Sequence, residues 1–221
     1  MSFTPDVNDT TETVVDSAVT RTTAHSTPQT NEKKEHPLTE IIRFSLIALL
    51  IVFPIRMFIA QPFIVSGASM MDTFHNGEYL IVDQVSYRFN EPSRGDVIIF
   101  RYPRDPSKFF IKRVIGLPGE KIAIEGNTVT ITNGSHPEGA VLDEPYIASM
   151  QPNTFLEENL GEGEYFVMGD NRDQSSDSRM WGVLQEQNII GRALLRLFPI
   201  GAAGVMPGMF NSDAALQDIS S

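Results

Sequence analysis

The sequence predicts a mainly β protein: an antiparallel sheet domain over residues 61–199, preceded by one transmembrane helix and a disordered N-terminal tail. Three observations predict it. Short runs rich in Val, Ile, Phe, Tyr and Thr recur from residue 63 to residue 198, and these side chains pack well on a pleated surface. Clusters of Gly, Pro, Asn and Asp separate the runs and carry the chemistry of tight turns. One long apolar stretch, 41–60, stands apart from this pattern.

Residues 1–40 are dominated by Thr, Ser, Asp and Glu. Such a segment buries too little apolar surface to offset its ordering entropy, so a disordered tail is predicted. The stretch 41–60 has the roughly 20 residues that cross a bilayer core. Arg43 and Arg56 lie near its ends, where their stems can snorkel to the interfaces. It begins too far into the chain for a cleavable signal, and Phe58 occupies a position where such a signal needs a small residue. The 44–55 portion is too uniformly apolar for an amphipathic core helix. Lys33, Lys34 and Arg43 gather toward the N-terminal side of the span, whereas Arg56 stands alone until Arg88. The positive-inside rule then places the N-terminus in the cytoplasm and the following domain outside. Strands are predicted at 63–65, 79–83, 97–102, 109–115, 121–124, 128–132, 165–168 and 193–198, with a tight hairpin at Gly126-Asn127. Residues 200–221 are small, Gly-rich and polar, and read as a flexible tail.

Composition excludes several functions. The 221 residues carry a net charge of −11 with Lys and Arg scattered, which argues against nucleic-acid binding. No cysteine is present, so disulfides, a thiolate nucleophile and a Cys-based metal site are out. The acidic residues form no liganding pattern, and no metal or cofactor is expected. Arg94-Gly95-Asp96 reads as a turn leading into a strand rather than an adhesion motif. Asn8-Asp9-Thr10 and Asn133-Gly134-Ser135 are weak surface-loop signals.

The chemistry starts at Ser69, in Val65-Ser66-Gly67-Ala68-Ser69-Met70-Met71, a few residues past the apolar stretch. A serine hydroxyl needs a base. Of the four histidines, His25 and His36 fall on the cytoplasmic side, His136 lies in a Gly/Pro-rich loop, and His75 reads as a solvated turn residue. The Ser69 segment is not the Gly-x-Ser-x-Gly elbow either. Lys112 offers another route. On a strand it would project with Phe110 and Val114, leaving Arg113 to share the opposite face with Ile111 and Ile115. Desolvation among such side chains disfavours the charged amine, and a fall of roughly 2–3 units would make it a base near neutral pH. Taken alone, Lys112 reads better as a residue snorkelling from a sheet edge. A third motif, Gly169-Asp170-Asn171-Arg172-Asp173-Gln174-Ser175-Ser176-Asp177-Ser178-Arg179, is dense in hydroxyls and charge. It reads as a rigid polar loop with an Asp177–Arg179 ion pair and serines able to orient an amine.

Together these motifs resemble the bacterial type I signal peptidases, membrane-anchored Ser/Lys endopeptidases that remove signal peptides from exported preproteins. The similarity runs from the apolar stretch to about residue 199. It rests on the Ser69 segment, Arg94-Gly95-Asp96-Val97, Ile111-Lys112-Arg113-Val114-Ile115-Gly116-Leu117-Pro118-Gly119, and the 169–179 motif, in that order. The resemblance implies a signal-peptidase-type β domain with Ser69 as nucleophile and Lys112 as general base. It makes Ser175 the hydroxyl that bonds the amine, with Asp177 and Arg179 as the structural pair behind it. The Ser69 backbone N–H would be one oxyanion donor. In some members a serine two positions earlier supplies a second donor; here that position is Gly67, with Ser66 one position further back, and either is a candidate. A proline usual three residues after the nucleophile is Asp72 here, a change expected to affect the turn more than the chemistry. Substrate would bind as an added strand, with Phe63, Val65, Met70, Phe74, Phe110 and Ile111 lining pockets for small residues at −1 and −3. The implied partners are signal peptides of membrane-tethered preproteins and the lipid bilayer, and a monomer is expected.

Two other readings compete. Self-cleaving repressors share a Gly-x-Ser-Met turn and a downstream lysine, but are cytosolic and carry a DNA-binding helix-turn-helix instead of the apolar stretch. A membrane-anchored, non-catalytic β domain binding extracytoplasmic partners would not need every dyad position filled, as it is here.

Overall fold

The structure is a computed structural model that describes residues 37–54, 60–147, 154–210 and 216–218. The chain divides into two units, Met1–Ile42 and Arg43–Ser221. Most of the expected N-terminal tail lies outside the described residues. Helix α1 spans Pro37–Pro54, 18 residues. It starts before the apolar stretch because Pro37 suits a first helical position and Glu40 complements the positive end of the helix dipole. The expected span of 41–60 is therefore corrected at both ends: α1 begins earlier, and Ala60 opens a strand. Residues 55–59 lie outside the described set. Among the described residues, no helix is long and apolar enough to cross a membrane.

The rest is built on two sheets in which every described pairing is antiparallel. The larger contains β1 (Ala60–Ile64), β2 (Tyr79–Asp83), β3 (Val97–Tyr102), β4 (Asp105–Gly116), β9 (Glu164–Met168), β10 (Leu184–Gln185), β11 (Ile189–Phe198) and β12 (Gly204–Val205). Its order is β1-β2-β11-β3-β4-β9-β10, with β12 added to β11. The smaller holds β5 (Lys121–Glu125), β6 (Thr128–Thr132), β7 (Ala140–Leu142), β8 (Phe155–Asn159) and β13 (Leu216–Asp218), in the order β13-β7-β6-β5-β8. The hairpin falls where expected: Glu125 pairs with Thr128, and Gly126 supplies the positive φ of 61° that its two-residue turn demands. A four-residue helix, α2 (Ser178–Trp181), is capped by Asp177.

The run 97–100 is apolar throughout because β3 is buried on both faces. Val97 and Ile99 join a core with Val65, Met70, Phe74, Leu80 and Val82, while Ile98 and Phe100 pack with Val114, Tyr165 and Val167. A third core lies on the smaller sheet around Ile122, Ile124, Val129 and Ile131, and takes in Ile115, Phe166 and Met168 from β4 and β9.

The segment expected to be a flexible tail carries two strands. Gly204–Val205 pairs with β11 and Leu216–Asp218 with β7. Strands this short carry no readable periodicity, and only an available sheet edge reveals them. Arg94-Gly95-Asp96 is a turn into β3, as expected: Arg94 is buried against Glu120 at 2.6 Å, and Asp96 accepts from the Tyr87 hydroxyl at 2.7 Å.

Candidate active site

The segment after β1 turns sharply. Gly67 adopts φ 97°, a region that only glycine enters freely, and its N–H donates to Asn76 Oδ1 at 3.1 Å. A helical turn follows: Met71 N–H donates to Ala68 O, and Thr73 and Phe74 N–H both donate to Met70 O. Met70 and Phe74 plug the turn into the core at 1% and 0% exposure. Asp72 sits at φ 70°, in the left-handed region where Asp is tolerated and where proline, fixed near −65°, cannot go.

That turn presents Ser69 to Lys112, on β4. Lys112 Nζ lies 2.7 Å from Ser69 Oγ and donates to Ile111 O at 2.8 Å. It sits 5.3 Å from the Phe110 ring centroid and is 3% exposed. Burial drives the amine's pKa down to about 8, against the opposing pull of Asp177 and Asp170. The alternation read from the sequence also appears: Phe110 and Val114 belong to one core, and Ile111 and Ile115 to others.

The polar loop after β9 grips the same turn. Asn171 N–H donates to Ser69 O at 3.1 Å, and its side-chain Nδ2 donates to Ala68 O at 3.0 Å. Gly169 lies so close that an added Cβ would meet Ser175 Oγ at 2.2 Å and Ser69 O at 2.3 Å. Asp177 is wholly buried and takes a bidentate pair of bonds from Arg179, both 2.8 Å, and one from Gly169 N–H at 3.1 Å. Burial pushes the Asp177 carboxyl up, but Arg179, Ser175 and the Gly169 N–H outweigh it and hold it below the usual carboxylate range. Ser175 is buried beside Asp177, but its Oγ makes no hydrogen bond of ordinary geometry. The predicted Ser175 bond to the Lys112 amine is therefore not formed. Behind the loop, Asp170 receives Arg113 at 2.9 and 2.6 Å, with both side chains 1% exposed.

A cleft of about 450 Å³ opens at Ser69 and Lys112. Of the six residues expected to line it, Phe63, Val65, Phe110 and Ile111 do so. Met70 and Phe74 are corrected: both lie in the core beneath the turn, because a helical turn sends those two side chains inward, away from the one that carries Ser69. Ser66 and Gly67 line the cleft, as do Gln174 and Ser176 from the polar loop. The unpaired rims are also there. Among the described residues, β9 pairs with β4 only from Arg113 onward, so the 105–112 part of β4 is strand-paired with β3 alone, and β1 with β2 alone. His75 is exposed and lies 3.6 Å from Glu78. Neither His75 nor His136 lines the cleft.

Sequence reasoning overlooked Asn171, Gly169 and Thr73 as individuals. Asn171 and Gly169 sat inside the polar motif, where their neighbours' charges drew attention. No local signal marks Thr73, whose hydroxyl donates to Asp170 across 97 positions of chain.

The chain is similar to known proteins along most of its length. The profile of the family described as signal peptidase, peptidase S26, matches residues 38–198. A probable signal peptidase I-1 of Synechocystis sp. is 39% identical over 175 residues, covering 76% of this chain and 86% of that protein. A signal peptidase I of Leptolyngbya laminosa is 38% identical over 179 residues, covering 78% and 85%. The crystal structure of a signal peptidase I from Enterococcus faecalis V583 aligns with a TM-score of 0.39 at 30% identity, over 47% of this chain and 97% of that one.

Proposed function

The chain belongs to the signal peptidase family, peptidase S26, and from that premise we propose that it is a membrane-anchored serine endopeptidase that removes N-terminal signal peptides from exported preproteins. The observation that carries the mechanism is the 2.7 Å contact between Lys112 Nζ and Ser69 Oγ, made by an amine whose burial lowers its pKa to about 8.

In its neutral form Lys112 takes the Ser69 proton as Oγ bonds to the scissile carbonyl carbon, leaving an ammonium and a tetrahedral oxyanion. The Ser69 N–H is one donor to that oxyanion. Collapse breaks the C–N bond, and Lys112 returns its proton to the departing amine of the mature protein. The signal peptide remains as an ester on Ser69. Lys112 then deprotonates a water that attacks the ester, and the proton passes back to Ser69 Oγ as the acid leaves. Asp177 and Arg179 hold the polar loop rigid beneath the dyad. Ser175, whose buried hydroxyl lies beside the Asp177 carboxylate, turns to the amine when its protonation changes.

An extended cleavage segment suits the unpaired rims of β1 and β4, where main-chain bonds fix register and side pockets read alternate residues. Phe63, Val65, Phe110 and Ile111 leave room there for small side chains at −1 and −3. The apolar side chains of α1 support the anchor: Leu46, Leu50 and Phe53, among others, are exposed, which suits a lipid neighbour. With Lys33 and Lys34 before it and Arg43 near its start, the N-terminus is cytoplasmic and the monomeric catalytic domain extracytoplasmic.

Cleavage of a purified preprotein in detergent tests the reading. Ser69→Ala and Lys112→Met should each reduce turnover by at least about 10³-fold. Full activity in either variant would sink the dyad, and cleavage away from a small-x-small sequence would sink the substrate.

A further inference from the structure

The loop at 206–209 does more than trail from the last strand of the larger sheet. After β12, Met206 N–H donates to Leu194 O at 2.7 Å and Met209 N–H donates to Met206 O at 3.1 Å, closing a tight turn on β11. Met206 adopts φ 50° and Gly208 φ 72°. A left-handed methionine is strained, and such strain persists only where the surroundings over-determine it. Gly208 shows what determines it here. Its carbonyl accepts from Arg113 Nη1 at 2.5 Å, and an added Cβ would meet Thr73 Cγ2 at 2.4 Å and Phe74 Cε2 at 3.1 Å. The bare backbone of this loop lies against the back of the Ser69 turn.

Thr73 is held from every side. Its N–H donates to Met70 O within the turn, its hydroxyl donates to Asp170 Oδ2 at 2.5 Å, and its carbonyl accepts from Arg196 Nη2 at 2.6 Å. Asp170 is paired with Arg113, and Arg113 with the Gly208 carbonyl. Gly208, Arg113, Asp170 and Thr73 thus form a closed circuit behind the turn, while Asn171 clamps its front through Ala68 O and Ser69 O.

We propose that this loop is a positioning element: Gly208, acting through Thr73, sets the depth of the turn and so keeps Ser69 Oγ at hydrogen-bonding distance from Lys112. Neither residue touches substrate or the reacting atoms, and the proposal rests on the Ser69–Lys112 reading above. A methyl group at position 208 must move something by about 1 Å to reach ordinary contact with Thr73. A misplacement of that size at a nucleophile costs up to roughly a hundredfold in rate. Substrate binding should be spared, since neither Gly208 nor Thr73 lines the cleft.

The test uses the full chain in detergent with a quenched peptide substrate, measuring kcat and KM separately. Gly208→Ala should lower kcat by about ten- to a hundredfold, with KM within about twofold. Adding Thr73→Ser should restore most of the loss, because it removes the Cγ2 that the new methyl meets while keeping the hydroxyl for Asp170. Thr73→Val keeps the volume and removes the hydroxyl. It needs no backbone change and should also lower kcat at constant KM. The proposal is overturned if folded Gly208→Ala keeps its kcat, or if Thr73→Ser fails to rescue it. Should Gly208→Ala not fold, Thr73→Val decides, and an unchanged kcat there overturns the proposal. Ser69→Ala in the same assay reports on the dyad alone: turnover by that variant would sink the underlying reading, whereas its inactivity leaves the loop to be judged by its own variants.

Discussion

The two sheets are built to different rules. In the smaller one, β5 pairs with β6 and with β8 over five consecutive residues each, without a register shift. The buried side chains of its strands are apolar: Ile122, Ile124, Val129, Ile131, Ala140 and Leu142. The larger sheet shifts register between β11 and each of β2 and β3, between β3 and β4, and between β4 and β9. On and around it lie Lys112, Arg113, Asp170, Ser175 and Asp177, all buried. Register shifts re-aim side chains and bend strands, and burying charge costs free energy unless it is fully paired. The regular half gains stability from every buried residue. The irregular half gives some up to hold a buried amine, its pKa lowered to about 8, against a hydroxyl.

The sharpest way to break this comparison is to exchange the expected signs of two core substitutions. Lys112→Met should abolish turnover and yet stabilise the fold at pH 7. A depression from 10.5 to about 8 corresponds to about 3 kcal/mol. Since the folded pKa is the lower one, the unfolded chain binds more protons between the two values. Stability therefore rises with pH across that window, and the advantage of Lys112→Met should shrink as pH approaches 10.5. Ile131→Ala, in the smaller sheet, should cost about 2–5 kcal/mol and leave kcat unchanged below its melting temperature. Urea unfolding at pH 7 and at pH 10 decides between them. If both variants lose stability, the larger sheet is not paying for its chemistry.

The same division explains what could be read in advance. The smaller sheet's hairpin was legible because alternation and a Gly-Asn turn are local signals. Ser69 and Lys112 were legible as a pair only from three motifs in order, since the local run around Lys112 alone reads as a sheet edge. What escaped was set by distance or brevity. Strand β8 carries Glu157 and Glu158, and its burial alternates only weakly, so it resembles a loop until β5 pairs with it. Strands β7, β10, β12 and β13 are two or three residues long. Met70 and Phe74 read as pocket residues because proximity in sequence to Ser69 could not say which way a helical turn would point them. Thr73 and Gly208 meet only because the loop after β12 folds back on the turn.

A smaller effect separates the halves by pH. With Lys112 as base, kcat/KM should rise about tenfold per unit below pH 8 and level off above it. Asp177→Asn removes a negative charge that holds the Lys112 pKa up, so the midpoint should move to lower pH. Ile131→Ala should leave the midpoint where it is. A shift of similar size in both variants would mean that the amine responds to general loosening of the domain rather than to its own neighbours.

The smallest effect bears on the proposed oxyanion site, where Gly67 stands two positions before Ser69. Space does not forbid a side chain there, since nothing lies within 4 Å of the position a Cβ would take. The backbone does: φ is 97°, and the Gly67 N–H is committed to Asn76. A serine forced into that conformation keeps the strain of a left-handed residue, about 1 kcal/mol, and its hydroxyl follows a backbone that glycine alone permits. Gly67→Ser should therefore lose about that much stability and change kcat by less than about twofold, far from the 10²-fold or more expected of a true oxyanion donor. Tenfold faster cleavage by Gly67→Ser would show instead that the turn relaxes to seat the hydroxyl. The larger sheet would then be more adaptable around Ser69 than its clamps at Asn171 and Thr73 imply.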